Sequence, residues 1–61
     1  MNFIGAMMMR ENLTLEEARE EWQLALAEIR EAIEEGLDPE ETLLEMFGLE
    51  AGFLEEFLPY V

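Results

Sequence analysis

Carboxylates are the only side chains in this sequence that recur at a spacing suited to chemistry. Glu17 with Glu21, and Glu28 with Glu31, stand about one helical turn apart. Such a pair does acid–base work only when its surroundings shift a pKa, and the carboxylates of di-metal bundles are accompanied by histidines. The sequence has no His and marks no pair as buried. We therefore interpret these glutamates as a solvated surface and predict no metal site.

Nucleophilic catalysis has equally few candidates. The chain has no Cys, His, Lys or Ser, and Thr14 and Thr42 are its only aliphatic hydroxyls. A hydroxyl nucleophile needs a neighbouring base, and Thr14 stands where a helix cap is expected. Without Cys and His, disulfides and the usual zinc sites are excluded as well. We therefore predict a protein that is not an enzyme and uses no cofactor.

The charge of the chain restricts its partners. Sixteen acidic residues face only Arg10, Arg19 and Arg30, and the net charge is -13. Nucleic acid needs a basic surface and anionic membranes repel an acidic one, so we expect neither partner. A basic protein surface would be attracted. No run approaches the roughly 18 apolar residues of a membrane span, and residues 1–9 lack the basic region of a signal peptide. We therefore expect a cytoplasmic protein.

One long amphipathic helix is predicted over residues 13–36. Thr14 and Glu17 have the spacing of a capping box, in which each side chain accepts a hydrogen bond from the other residue's backbone amide. Gly36 is placed to end the helix in the left-handed conformation, with Leu37 folding back on the last turn. The apolar positions fall on one face of the helix: Leu15, Ala18, Trp22, Ala25, Leu26, Ile29, Ala32 and Ile33.

Alanines recur every seven residues within this apolar face, at Ala18, Ala25 and Ala32. Small side chains let a second helix approach closely, so the spacing suits an antiparallel helix pair. The second helix can belong to the same chain or to another copy, and the sequence leaves both readings open. A chain of 61 residues without crosslinks is marginal as a monomer, which favours a homodimer.

Residues 1–12 are predicted as an apolar N-terminal arm that precedes a single helical domain of residues 13–61. Gly5 interrupts the apolar run, and a short helix, a strand or a flexible arm all fit so short a segment. Methionine side chains adapt to irregular surfaces, so the arm is a second candidate for the dimer interface. Its candidate residues are Phe3, Ile4, Met7, Met8 and Met9. Leu24 lies off the apolar face of the long helix, and it becomes a further candidate interface residue if the arm covers it.

Two short helices are predicted after the long one, over residues 38–48 and 50–58. Asp38 is the expected N-cap of the first, and Pro39 suits its first helical position, where no backbone N–H is needed. Gly48 ends that helix. The sequence therefore indicates a helical hairpin with a glycine at its turn.

The spacing within residues 39–57 resembles a helix-turn-helix motif. The apolar positions that carry this resemblance are Leu43, Phe47, Leu49, Leu54 and Phe57. Leu44 stands where the motif usually has a small residue. The second helix has no Arg, Lys, Asn or Gln to contact DNA, and its polar residues are Glu50, Glu55 and Glu56. We therefore interpret the segment as two packed helices without DNA-binding activity.

The sequence predicts an all-α, three-helix bundle-like fold, dimeric, with two short helices packed across one long helix. The predicted core is Trp22, Ile29, Ile33, Leu43, Phe47, Leu54 and Phe57. We expect a small acidic regulator or inhibitor that binds a basic protein surface. The alternative is a nucleic-acid mimic, in which carboxylates spaced like phosphates occupy a DNA- or RNA-binding channel.

Overall fold

The computed structural model describes all of residues 1–61, and these form helices joined by short turns, without a strand. The chain runs through three α-helices and ends in two 3₁₀ helices: α1 (Phe3–Arg10), α2 (Leu15–Glu34), α3 (Pro39–Phe47), η1 (Ala51–Glu56) and η2 (Leu58–Tyr60). The all-α class is confirmed. The last predicted helix, residues 50–58, is instead the pair of 3₁₀ helices, which suits a short segment containing Gly52 and Pro59.

The start of α2 follows the capping chemistry that the sequence predicts. The backbone N–H of Thr14 donates to Oε1 of Glu17 at 2.9 Å, and the backbone N–H of Glu17 donates to Oγ1 of Thr14 at 3.2 Å. The pKa of Glu17 lies below its ordinary value, because the backbone N–H of Thr14, and to a smaller extent its hydroxyl, donate to the carboxylate and stabilise its ionised form. The reciprocal bonds satisfy amides that the first turn of a helix leaves unpaired.

The end of α2 is also as predicted. Gly36 has a φ of 74°, and the backbone N–H of Leu37 donates to the carbonyl of Ala32 at 2.8 Å. The backbone N–H of Gly36 donates to the carbonyl of Ile33 at 3.2 Å. This hydrogen-bond pattern is a Schellman motif, which turns the chain sharply towards α3.

Replacing Gly36 with Ala should destabilise the fold by about 1 kcal/mol, because an L side chain is strained at this positive φ. A Cβ at position 36 would meet no atom within 4 Å, so strain in the backbone is the only expected cause. Gly52→Ala is the matched control, since a Cβ there also meets nothing and φ is ordinary. Urea unfolding of both variants measures the difference. Equal stability of the two variants would contradict the assigned conformation of Gly36.

Of the conformations that the sequence left open for residues 1–12, the structure has the short helix, α1, whose inner face belongs to the core. The inner face of α1 buries Phe3, Ala6 and Met7 completely or nearly so. The side chain of Asn2 caps the helix by accepting a hydrogen bond from the backbone N–H of Gly5 at 2.7 Å. Packing against α2 decides which positions of α1 are buried and which are exposed. The short apolar run in the sequence does not reveal this alternation.

Phe3 lies at the centre of an aromatic cluster that joins the two ends of the chain. Its ring centroid lies 5.8 Å from that of Trp22, 5.6 Å from that of Phe47 and 5.3 Å from that of Phe57, each pair edge to face. Trp22 also stacks on Phe57 at 4.1 Å. Edge-to-face and stacked pairs add to the stabilisation from burial. One aromatic ring from α1 therefore packs against α2, α3 and the C-terminal segment.

The same two chain ends are joined by a hydrogen bond. The backbone N–H of Phe3, unpaired within α1, donates to both carboxylate oxygens of Glu56, at 3.1 and 2.9 Å. Glu56 is half-buried. Its negative charge also lies at the positive end of the α1 dipole, which is favourable.

Glu56→Ala is expected to lower the free energy of unfolding by about 1 kcal/mol, since it removes a charged hydrogen-bond acceptor from a half-buried amide. Glu55→Ala is the control, because Glu55 is exposed beside it and the loss of charge is the same. Chemical denaturation of both variants tests this. The role assigned to Glu56 would be lost if the two substitutions had the same effect.

Most of the predicted core is observed. Ile29, Leu43 and Phe57 are fully buried. Trp22, Phe47 and Leu54 are partly buried and pack against the core. The prediction that Ile33 belongs to the core is wrong, because 45% of its surface is exposed. The C-terminal segment reaches α2 at Arg30, whose guanidinium donates to the carbonyl of Tyr60. In the turn that follows, Ala32 is still buried, whereas Ile33 beside it stays exposed.

Candidate functional site

The predicted interface residues divide into a buried and an exposed set. The buried set lies in the core of the single chain: Phe3, Met7, Ala18, Ala25 and Ala32. The assignment of these residues to a dimer interface is therefore corrected, because packing within one chain already covers them. The close approach that the alanines allow is used by helices of the same chain.

The exposed set lies on the outer surface of α1 and α2. Met9 is 72% exposed and Met8 is 36% exposed, while Ile4 is half-buried. Leu24 is 46% exposed, so the N-terminal segment does not cover it. Of the predicted interface residues, these four retain a surface that a partner could contact.

The carboxylates lie at the surface, and no polar or charged residue is buried. Glu21 and Glu28 are half-buried, whereas Glu17 and Glu31 are exposed. No group of three acidic side chains is arranged to hold a metal ion. The pKa of Glu17 is lowered by the hydrogen bonds that its carboxylate accepts from Thr14. The arrangement can attract and bind positive charge.

Two of the three arginines are engaged with the backbone of their own chain. Arg10 donates from Nη1 to the carbonyl of Gly48 at 2.9 Å. Arg30 donates from Nε to the carbonyl of Tyr60 at 3.1 Å. Both guanidinium groups tie helices to neighbouring turns, so their charges are placed by the fold and the acidic surface stays largely uncompensated.

A shallow depression lies where α1, α2 and α3 meet. Five apolar residues line it: Met7, Leu13, Leu24, Met46 and Phe47. Glu11 and Glu21 line it as well. Met46 is 50% exposed and Leu24 is 46% exposed, so both side chains present apolar surface to solvent beside carboxylates.

A second depression continues along the same flank of α2 and α3 and shares Met46 with the first. It is lined by acidic and apolar residues: Glu28, Glu31, Ala32, Glu35, Leu37, Thr42, Glu45 and Met46. No arginine lines either depression. We call the two together the α2–α3 groove, which is lined by apolar residues and by carboxylates of α1, α2 and α3.

The sequence identifies Leu24 and Met7 as candidate interface residues but does not identify the groove that they line. Met46 has no distinguishing signal in the sequence, because its exposure depends on how α3 is rotated against α2. The available signal was that α3 has more large apolar residues than one buried face can hold: Leu43, Leu44, Met46 and Phe47. At least one of them had to face solvent.

No protein-family model, curated protein or solved structure matches the chain. None of the helices combines the length and the apolar character needed to cross a bilayer.

Proposed function

We propose that this chain is a non-enzymatic interaction protein, a small acidic regulator or inhibitor that binds a basic surface of a partner protein in the cytoplasm. The observation that carries the proposal is the net charge of -13, displayed on a surface where Arg10 and Arg30 are held against the chain's own carbonyls. A surface with charge of one sign attracts partners with charge of the opposite sign and increases the rate at which they associate.

Binding to an oligolysine peptide, measured by calorimetry against an oligoglutamate peptide, tests the proposal. We expect the cationic peptide alone to bind, and its affinity to fall as salt rises from low to physiological concentration, because salt screens exposed charges. A chain that binds neither peptide at low salt would contradict the proposal.

A nucleic-acid mimic is the second candidate. The feature that favours it is α2, whose 20 residues carry carboxylates over a length of about 30 Å. A mimic would compete with duplex DNA or RNA for a basic channel and would depend on carboxylates alone. Competition between the chain and a nucleic acid for one basic protein, unaffected by changes to exposed apolar residues, would favour this candidate over the first.

We also propose that the chain forms a homodimer through the outer face of α1, where Ile4, Met8 and Met9 remain accessible. Two copies of the same charge repel each other, so association should strengthen as salt rises, which is opposite to the salt dependence of a basic partner. Sedimentation across concentration tests this, with Met9→Gln as the variant expected to weaken the dimer. A constant 7.1 kDa species at high micromolar concentration would contradict it.

A further inference from the structure

We propose that the α2–α3 groove is the docking site for a basic amphipathic helix of the partner protein. This inference rests on the proposed function and adds to it the place of binding and the chemistry of the bound segment. The occupant is a helix with a row of apolar side chains flanked on both sides by Lys or Arg.

Exposed apolar residues of the groove would contact the apolar side chains of the bound helix. Leu24 and Met46 each leave about half of their surface exposed, at 46% and 50%, and they line the same depression. Single exposed apolar residues are ordinary, but neighbours in one concavity form a patch that a partner can cover. Met46 is unbranched and flexible, so its side chain can adjust to an incoming apolar group.

Carboxylates that line the groove would pair with the Lys or Arg side chains of the bound helix. Glu21 and Glu28 stand on the α2 side and Glu45 on the α3 side. Cationic side chains on both flanks of an apolar row would therefore each meet a carboxylate. The absence of arginine from the lining leaves no competing positive charge in the groove.

The shape of the groove favours a helix as the bound segment. It follows α2 from Glu21 to Glu35, a length of about 21 Å at 1.5 Å per residue, which corresponds to about four helical turns. An amphipathic helix lays its apolar residues into such grooves at positions i, i+3 or i+4, and i+7. A second copy of this chain fits poorly, because it would bring another -13 charge to the same carboxylates.

The test uses a synthetic helical peptide of about four turns, made of Leu and Lys with the leucines on one face. An oligolysine peptide of equal length and charge is the comparison. Met46→Gln and Leu24→Gln remove apolar character without changing net charge. Leu44→Gln is the matched control, since Leu44 is 60% exposed and lies on α3 outside the groove. Circular dichroism verifies that each variant is folded.

We expect the Leu/Lys peptide to bind more tightly than oligolysine. We expect Met46→Gln and Leu24→Gln each to weaken that binding about fivefold, with Leu44→Gln near wild type. Glu45→Gln, in the groove, should weaken it about twofold more than Glu55→Gln on η1. Amide chemical shifts in NMR spectra should change around Leu24 and Met46 on addition of the peptide.

Three other results are informative. If oligolysine binds as well as the Leu/Lys peptide and the groove variants behave like Leu44→Gln, the groove is overturned while the proposed function stands. If no cationic peptide binds at low salt, both are overturned. If Met46→Gln changes the sedimentation of the chain alone and leaves peptide affinity unchanged, the groove belongs to a second copy and the proposal fails.

Discussion

Phe3→Ala is expected to unfold most of the chain at room temperature. Phe3 has no exposed surface, and its ring packs edge to face on Trp22, Phe47 and Phe57. Removing a buried Phe side chain costs about 3–5 kcal/mol. A domain this small has a free energy of unfolding of similar size, since about 0.05–0.15 kcal/mol per residue is typical. Far-ultraviolet circular dichroism and a urea titration would measure the loss.

Met9→Ala is the matched control for Phe3→Ala, because Met9 belongs to the same helix and is 72% exposed. Both variants are compared at a protein concentration low enough to dissociate the proposed dimer, so that only contacts within one chain affect stability. We expect the control to change stability by less than about 0.5 kcal/mol. The comparison separates a helix that completes the core from an arm that only lies against it. If Phe3→Ala were as stable as Met9→Ala, residues 3–10 would not be part of the folded unit.

The helix ends are the part of the fold that the sequence predicts best, because each depends on residues close together in the chain. The capping box of Thr14 and Glu17, the N-cap at Asp38 and the left-handed Gly36 and Gly48 are all observed. Local hydrogen bonds and the freedom of glycine decide these positions whatever the tertiary contacts are. The amphipathic face of α2 is predicted for the same reason, since its period lies within one element.

The errors concern residues whose environment is set by distant parts of the chain. Phe3 is buried by contacts with Phe57 and by the hydrogen bond from its amide to Glu56, which a local reading of residues 1–12 cannot contain. Ile33 has the right phase for the core but extends beyond the point where the C-terminal segment meets α2 at Arg30. Helical phase gives the direction of a side chain, while burial also requires an element opposite it.

The candidate groove shows the same limit. Leu24 is identifiable from the sequence because it interrupts the polar side of α2. Met46 is not identifiable from the sequence. Either side of α3 next to Leu43 can be the buried one, and only the packing of α3 against α2 decides which. The acidic lining was predictable as an exposed surface, since charged side chains are rarely buried without partners. That apolar residues and carboxylates of different helices line one groove could be seen only in the tertiary structure.

Added salt is expected to stabilise the fold by about 1–2 kcal/mol between low and physiological ionic strength. Like-charged neighbours one turn apart on α2 each cost a few tenths of a kcal/mol, and they include Glu16–Glu20, Glu17–Glu21 and Glu31–Glu35. Salt screens this repulsion. Since about 1 kcal/mol shifts Tm by roughly 4–8 °C in a domain of this size, thermal melts resolve the effect. A Tm that falls as salt rises would contradict it.

The pH dependence of stability should carry a contribution from Glu17. The pKa of Glu17 in the folded state lies below the ordinary value of 4.5, because its carboxylate accepts hydrogen bonds from Thr14. Its contribution is complete above that value and is lost as pH falls through its lower folded pKa.

Glu17→Gln tests this contribution. A neutral amide can still accept the hydrogen bond from the backbone N–H of Thr14, but it does not titrate. Thermal melts of both proteins between pH 7 and pH 3 should therefore run in parallel above about pH 5 and converge at lower pH, where wild type loses the contribution of its ionised cap. Parallel curves over the whole range would remove Glu17 from the pH response.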